Sequence, residues 1–317
     1  MSVPLLYLAL GLVLLYFGAE GLVRGSSSLA LRLGLSPLVI GLTVVAFGTS
    51  SPELVVSLQA ALAGQGAISA GNVVGSNICN IGLILGLSAL ITPVAISSQI
   101  IRVDTPAMIG VAVLGVLFMA DGSISRVEGA VLLALLVAYV IFNIRLARRS
   151  TSDVMAAEFD HEVHTSRRGI WFDLLMVAGG LVLLVLGAKS LVEGAVQIAR
   201  TFGWSEALIG LTIVAVGTSL PELATSLLAA LKKESDIAVG NIIGSNIFNI
   251  LGILGLSSLL RPLDAAGISG IDLGVMLAFA LILFPFAYGQ RRICRWEALV
   301  LLLGYTTYVG WLVRFAG

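Results

Sequence analysis

Two glutamates sit inside long apolar stretches of this 317-residue chain, each in the same company. Gly48-Thr49-Ser50-Ser51-Pro52-Glu53 returns 169 residues later as Gly217-Thr218-Ser219-Leu220-Pro221-Glu222. A second matched block follows each copy, Gly71-Asn72-Val73-Val74-Gly75-Ser76-Asn77-Ile78-Cys79-Asn80 and Gly240-Asn241-Ile242-Ile243-Gly244-Ser245-Asn246-Ile247-Phe248-Asn249. An acid at the centre of an apolar span costs about 2.5–3.5 kcal/mol to insert, on a translocon scale tabulated for aspartate. Meeting that cost twice, at equivalent positions, implies a cation pathway.

The spacing lets these groups act together. Thr49 and Glu53 stand at i, i+4 and Ser50 and Glu53 at i, i+3, so one helix face can carry all three. Thr218, Ser219 and Glu222 repeat the pattern. Pro52 and Pro221 lack an amide proton and crowd the preceding turn, which predicts broken helices with carbonyls freed near Ala46 and Gly48. Such a break is tolerated in a membrane where the carbonyls meet a cavity, water or an ion. Asn72, Ser76 and Asn80 form an i, i+4, i+8 stripe, as do Asn241, Ser245 and Asn249. Together these groups offer oxygen alone. Two carboxylates balance one divalent ion, and hydroxyls, amides and carbonyls can complete the 6–8 ligands that Ca²⁺ takes. The motifs contain no histidine, and the one nearby thiol, Cys79, has no counterpart in the second copy, which argues against a soft-metal site. Mg²⁺ gives up its water reluctantly, so a dry site favours Ca²⁺.

The elements that must hold these residues follow from composition. With 58% hydrophobic and 11% charged residues and a mean hydropathy of +1.05, the chain is not an ordinary soluble domain. Spans of about 20 apolar residues cross a bilayer, and ten are predicted: 4–23, 33–62, 67–94, 103–120, 127–146, 170–191, 205–231, 237–260, 271–288 and 296–313. The short alternating segments of a transmembrane barrel are absent. The first apolar run has no basic flank and no small-residue cleavage site, and is expected to be a retained helix. Ungapped comparison of residues 18–88 with 187–257 gives 39 identities in 71 positions. The expected organisation is therefore an all-α integral membrane protein of two homologous halves, 1–147 and 170–317, joined by a polar linker, 148–169. Five helices per half is an odd number, so the second half must enter the membrane in the opposite sense, as in the inverted repeats of many secondary transporters. Placing the linker in the cytoplasm puts 13 arginines and lysines inside and 5 outside, and the positive-inside rule then places both termini outside. The expected location is the cell (inner) membrane, as a multi-pass protein in the lipid bilayer. Zero net charge gives no hint of nucleic acid.

The paired blocks resemble the two alpha repeats of the cation/Ca²⁺ antiporter superfamily, and the prokaryotic Na⁺/Ca²⁺ exchanger branch within it, over nearly the whole chain. The resemblance implies ten helices with a site built from the second, third, seventh and eighth, exchanging Na⁺ for Ca²⁺ by alternating access. It implies Glu53 and Glu222 shared by Ca²⁺ and Na⁺, with Thr49 and Thr218 helping to coordinate Ca²⁺. Ser50, Ser219, Ser76 and Ser245 would line Na⁺ positions with the carbonyls of Ala46 and Ala215, and Asn80 and Asn249 would flank the centre. It also implies that the first and sixth helices move, where Gly18-Ala19 and Gly187-Ala188 suit close sliding contacts. Certain relatives carry Asp where this chain has Asn249, which argues against K⁺ dependence here. No prosthetic group and no obligatory protein partner is expected.

Other readings of the same residues remain open at this level. Ca²⁺/H⁺ antiport would use both glutamates, but that branch shows a Glu soon after the Gly-Asn pair, where this chain has Gly75 and Ser76. A passive channel would need an open pore rather than broken helices in inverted repeats. An intramembrane enzyme is disfavoured, because the spans hold no serine–histidine or paired-aspartate arrangement. Asn72 and Asn241 fit interhelical hydrogen bonding as well as ion contact. Glu20 and Lys189, at matched positions near helix ends, are expected to snorkel. Glu158, Asp160, His161, Glu162 and His164 read as a solvated linker.

Overall fold

In hydrocarbon every backbone N–H and C=O needs an internal partner, so a chain this apolar folds as helices. A computed structural model describes residues 2–155, 169–202 and 215–315. In chain order the helices are α1 (Ser2–Leu33), α2 (Pro37–Thr49), α3 (Ser51–Leu62), α4 (Gly66–Ile91), α5 (Ile100–Met119), α6 (Arg126–Met155), α7 (Ile170–Thr201), α8 (Ala215–Thr218), α9 (Leu220–Leu231), α10 (Ser235–Leu260), α11 (Gly270–Gln290) and α12 (Arg295–Phe315). Among the described residues eight helices are long and apolar enough to cross a bilayer, and nine if α2 and α3, bent by 48° at Ser50, are one span. The protein is an all-α, multi-pass membrane protein. Of the expected span 205–231, residues 205–214 lie outside the described residues, as do the linker residues Glu158, Asp160, His161, Glu162 and His164.

The first and sixth expected spans, 4–23 and 170–191, are longer in the structure, running to Leu33 and Thr201. Hydropathy falls at Arg24 and Glu193, yet both helices continue because they pack on each other. Their contact runs through glycines seven residues apart. A Cβ on Gly11 would lie 2.7 Å from the Leu191 amide nitrogen, one on Gly18 2.8 Å from that of Leu184, and one on Gly25 2.9 Å from Met176 Cβ. Gly180, Gly187 and Gly194 meet α1 in the same way. As residue numbers rise along α1 they fall along α7, so the two helices are antiparallel, with backbones close enough for van der Waals packing to hold them.

Four two-residue strands, which helical periodicity gave no reason to expect, cross-link the halves. β1 (Val94–Ala95) pairs antiparallel with β4 (Arg292–Ile293), and β2 (Ser123–Ile124) with β3 (Leu263–Asp264). α10 is the centre of the molecule, with its apolar window wholly buried. Gly240 and Gly244 let it approach the backbone of α2 at Leu38 and Leu42.

One departure from symmetry stands out. α1 packs along α9, whereas among the described residues α7 has no matching packed face on α3. Val56 on α3 is accordingly 37% exposed, while its repeat counterpart Thr225 on α9 is buried. Glu20 of α1 does not snorkel: it pairs with Arg24 at 2.5 Å and with Lys232 at the end of α9. Arg32 pairs with Asp173 of α7.

Candidate cation site

Each half carries its motif across a break between two helices. Thr49 closes α2 and Glu53 lies in the first turn of α3, with Ser50 between them at φ −81°, ψ 9°. Thr218 closes α8 and Glu222 opens α9, with Ser219 at φ −87°, ψ 8°. Pro52 and Pro221 suit the first turn of the second helix, where an amide proton would have no partner anyway. The break frees less backbone than the sequence suggests. The Ala46 carbonyl keeps the Ser50 amide at 3.0 Å and also accepts from Thr49 Oγ1 at 3.4 Å.

The structure brings the two motifs face to face and crosses them. Ser50 Oγ donates to Glu222 Oε1 at 2.7 Å, and Ser219 Oγ donates to Glu53 Oε1 at 3.0 Å. Each serine thus serves the carboxylate of the other half. Ser50 Oγ also lies 3.0 Å from Ser245 Oγ on α10, and Thr49 Oγ1 donates to Asn241 Oδ1 at 3.0 Å. Ser76 and Asn80 on α4 and Asn249 on α10 are buried; Asn249 Nδ2 donates to Asn77 Oδ1 at 3.1 Å. Thr218 is only half-buried, and Ala215 is the first described residue of α8. Asn80 and Asn249 each begin a π-helical turn, Asn80–Leu85 and Asn249–Leu254, a distortion frequent at functional sites.

Charge and hydrogen bonding leave a specific deficit. Glu53 and Glu222 are each 1% exposed, and the ion pairs of the described residues involve neither. Glu53 Oε2, Glu222 Oε2, Asn80 Oδ1 and Asn249 Oδ1 are buried and accept no hydrogen bond. Buried polar atoms are nearly always paired, and an unpaired buried charge is costly. All four atoms are acceptors, so each is open to a hydrogen-bond donor or to a cation. Among the described residues no three of His, Cys, Asp and Glu gather to hold a metal, so any cation here meets two carboxylates and neutral oxygens.

The residues that sequence reasoning left out of the centre are the ones that brace it. Asn72 Nδ2 donates to the Glu53 carbonyl at 3.1 Å and to Ser57 Oγ at 2.9 Å. Asn241 Nδ2 reaches Ser226 Oγ at 2.9 Å and the Glu222 carbonyl at 3.5 Å. Both asparagines therefore make interhelical hydrogen bonds. Their partners Ser57 and Ser226 stand four residues after each glutamate in both copies, a signal the repeat comparison contained.

A family profile described as sodium/calcium exchanger protein matches the chain twice, over residues 3–145 and 172–314. The sodium/calcium exchanger MaX1 of Methanosarcina acetivorans is 36% identical over 343 residues, covering 97% of this chain and 98% of its own. The inner membrane protein YrbG of Escherichia coli (strain K12) is 41% identical over 280 residues, covering 87% of this chain and 86% of its own. Among solved structures, the sodium-calcium exchanger NCX_Mj superposes with a TM-score of 0.84 at 34% identity, over 98% of this chain and 99% of that one.

Proposed function

The chain belongs to the sodium/calcium exchanger protein family, and from that premise we propose that it carries Ca²⁺ and Na⁺ in opposite directions, each in turn at a centre made by Glu53 and Glu222. The observation that carries this reading is the set of four buried, unpartnered acceptors, Glu53 Oε2, Glu222 Oε2, Asn80 Oδ1 and Asn249 Oδ1. Hard cations take oxygen ligands, and two carboxylates neutralise one Ca²⁺. Thr49 and Thr218 add hydroxyls for Ca²⁺. Ser50, Ser219, Ser76 and Ser245, with the Ala46 and Ala215 carbonyls, line the Na⁺ positions. Ca²⁺ and several Na⁺ compete for the same two carboxylates, so occupancy by one expels the other.

The architecture we propose is ten spans in two inverted five-helix repeats, 1–147 and 170–317, with the linker 148–169 in the cytoplasm and both termini outside. Antiparallel packing of α1 on α7, which hold equivalent places in the halves, supports the inversion, as does a family profile that fits each half once. α1 and α7 are bound to each other at backbone distance along their length and move as one body. Packing of that body on α9 but not α3 leaves access from one side only, and its shift gives access from the other.

The test is radiolabelled Ca²⁺ uptake into proteoliposomes at clamped voltage, driven by an outward Na⁺ gradient or by a pH gradient, with Glu53→Gln and Glu222→Gln. Uptake driven by Na⁺ and abolished by either substitution is the expected result. Uptake driven by protons alone would overturn Na⁺ coupling, and wild-type uptake in both variants would overturn the site.

A further inference from the structure

Asn241 has no exposed surface and touches both half-sites at once. Its Oδ1 accepts from Thr49 Oγ1 of the first half at 3.0 Å. Its Nδ2 donates to Ser226 Oγ at 2.9 Å and to the Glu222 carbonyl at 3.5 Å, both on α9. We infer that Asn241 is a positioning residue for Ca²⁺ binding, fixing the Thr49 hydroxyl and the Glu222 backbone in one ligand set. The inference deepens the exchange reading above and rests on it for the identity of the cation.

The chemistry lies in where the hydroxyl proton goes. A threonine hydroxyl has one proton and two lone pairs. The Ala46 carbonyl, at 3.4 Å, competes for that proton less well than Asn241 Oδ1 at 3.0 Å. With the proton committed to the amide, the oxygen presents lone pairs to a cation and no positive hydrogen. The other end of the amide sets the carboxylate. Glu222 is the third residue of α9, so holding its carbonyl and Ser226, one turn on, fixes the rotation of α9 about its axis and the direction in which the Glu222 side chain leaves it. Asn72 makes the matching clamp on Glu53 and Ser57, but it is half-buried. Groups one shell out from a metal ligand typically contribute 10–100-fold in affinity by orienting it.

An interhelical bond with no part in binding would have the same partners, so the test must separate weaker binding from fewer folded molecules. Equilibrium binding of radiolabelled Ca²⁺ to the purified protein does so: loss of folded protein lowers the number of sites, whereas loss of positioning raises the dissociation constant. Asn241→Ala is expected to raise that constant about 10–100-fold at unchanged site number. In Thr49→Val the proton that Asn241 orients is already gone, so adding Asn241→Ala raises the constant less than it does in wild type. Ser226→Ala, which removes the shorter of the two hydrogen bonds made by Asn241 Nδ2 and no proposed cation ligand, gives a smaller rise and keeps the test informative if Asn241→Ala does not fold. An unchanged constant in Ser226→Ala, or in folded Asn241→Ala, would overturn the inference. Wild-type protein that binds Ca²⁺ but shows no Na⁺-driven uptake would overturn the exchange reading alone, and absence of wild-type Ca²⁺ binding would overturn both.

Discussion

Replacing Gly187 with alanine sets two effects of known size against each other. In a helix, glycine to alanine gains about 1 kcal/mol from backbone propensity. At Gly187 the added methyl would lie 2.8 Å from the Leu15 amide nitrogen and 3.0 Å from the Gly11 carbonyl oxygen. These are backbone atoms of a 32-residue helix and cannot turn aside as a side chain can. The helices must separate, and overpacking of this kind costs about 1–3 kcal/mol. Gly179, two turns away on the same helix, is the control, because a Cβ there meets nothing within 4 Å. The propensity gain is common to both variants and cancels in their comparison. Gly187→Ala is therefore expected to be about 1–3 kcal/mol less stable than Gly179→Ala. The shift is roughly 2–4 °C per kcal/mol for 150–250 residues and smaller for longer chains, so for these 317 residues a few degrees are expected in thermal unfolding followed in a single detergent. The packing change should also slow Na⁺-driven Ca²⁺ uptake, since it strikes the body proposed to move. Equal melting of the two variants would refute the claim that backbone proximity holds α1 to α7.

Other substitutions test other parts of the structure. Ser50→Ala removes the 2.7 Å hydrogen bond to Glu222, and bonds to a charged group are worth about 1.5–3 kcal/mol, so stability should fall by about that amount in thermal unfolding. Ser51→Ala, whose hydroxyl only caps the Phe47 carbonyl, should leave stability within about 0.5 kcal/mol, as surface substitutions of this kind do. Gly64→Ala forces a side chain into φ +80° with its Cβ 2.8 Å from an Arg261 nitrogen, and should lower stability by about 1–3 kcal/mol without changing the Ca²⁺ dissociation constant. Tyr308→Phe deletes the 2.7 Å bond to Asp272 Oδ1 that joins α12 to α11 and should cost about 1–3 kcal/mol in thermal unfolding; an unchanged melting temperature would show that the bond contributes nothing net.

The parts of the fold legible in the sequence were those written twice. The duplication at a fixed offset exposed both glutamates, their hydroxyl neighbours and the helix breaks, because each feature is local to a few residues. Features made by contact between the halves left no such mark. That Ser50 serves Glu222 rather than Glu53, three residues along its own chain, depends on how the two breaks meet in space. The extension of α1 past Arg24 escaped a hydropathy reading, because Gly25 is held against Asp173 and Met176 of α7 by close packing rather than by apolar character. Asn72 and Asn241 were ambiguous for a related reason: an amide can coordinate an ion or clamp a helix, and only partner distances distinguish the two. Glu20 sits where a snorkelling end group is expected, and only the fold brings Lys232, 212 residues away, beside it.

The crossed serine–glutamate bonds also govern the order in which the site can be born. Chains emerge amino-terminus first at about 5–20 residues per second, so Ser219, 166 residues beyond Glu53, follows it by roughly 10–30 s. Throughout that interval Glu53 has no partner from the second half, although an acid in a membrane helix costs several kcal/mol. What the nascent first half does possess is its own clamp, Asn72 on the Glu53 carbonyl and Ser57, formed within residues 53–72. The helix break can thus be shaped early while its carboxylate waits. The centre closes only when Ser219 and Glu222 arrive, which makes insertion of the second half the step that commits the molecule to its native state.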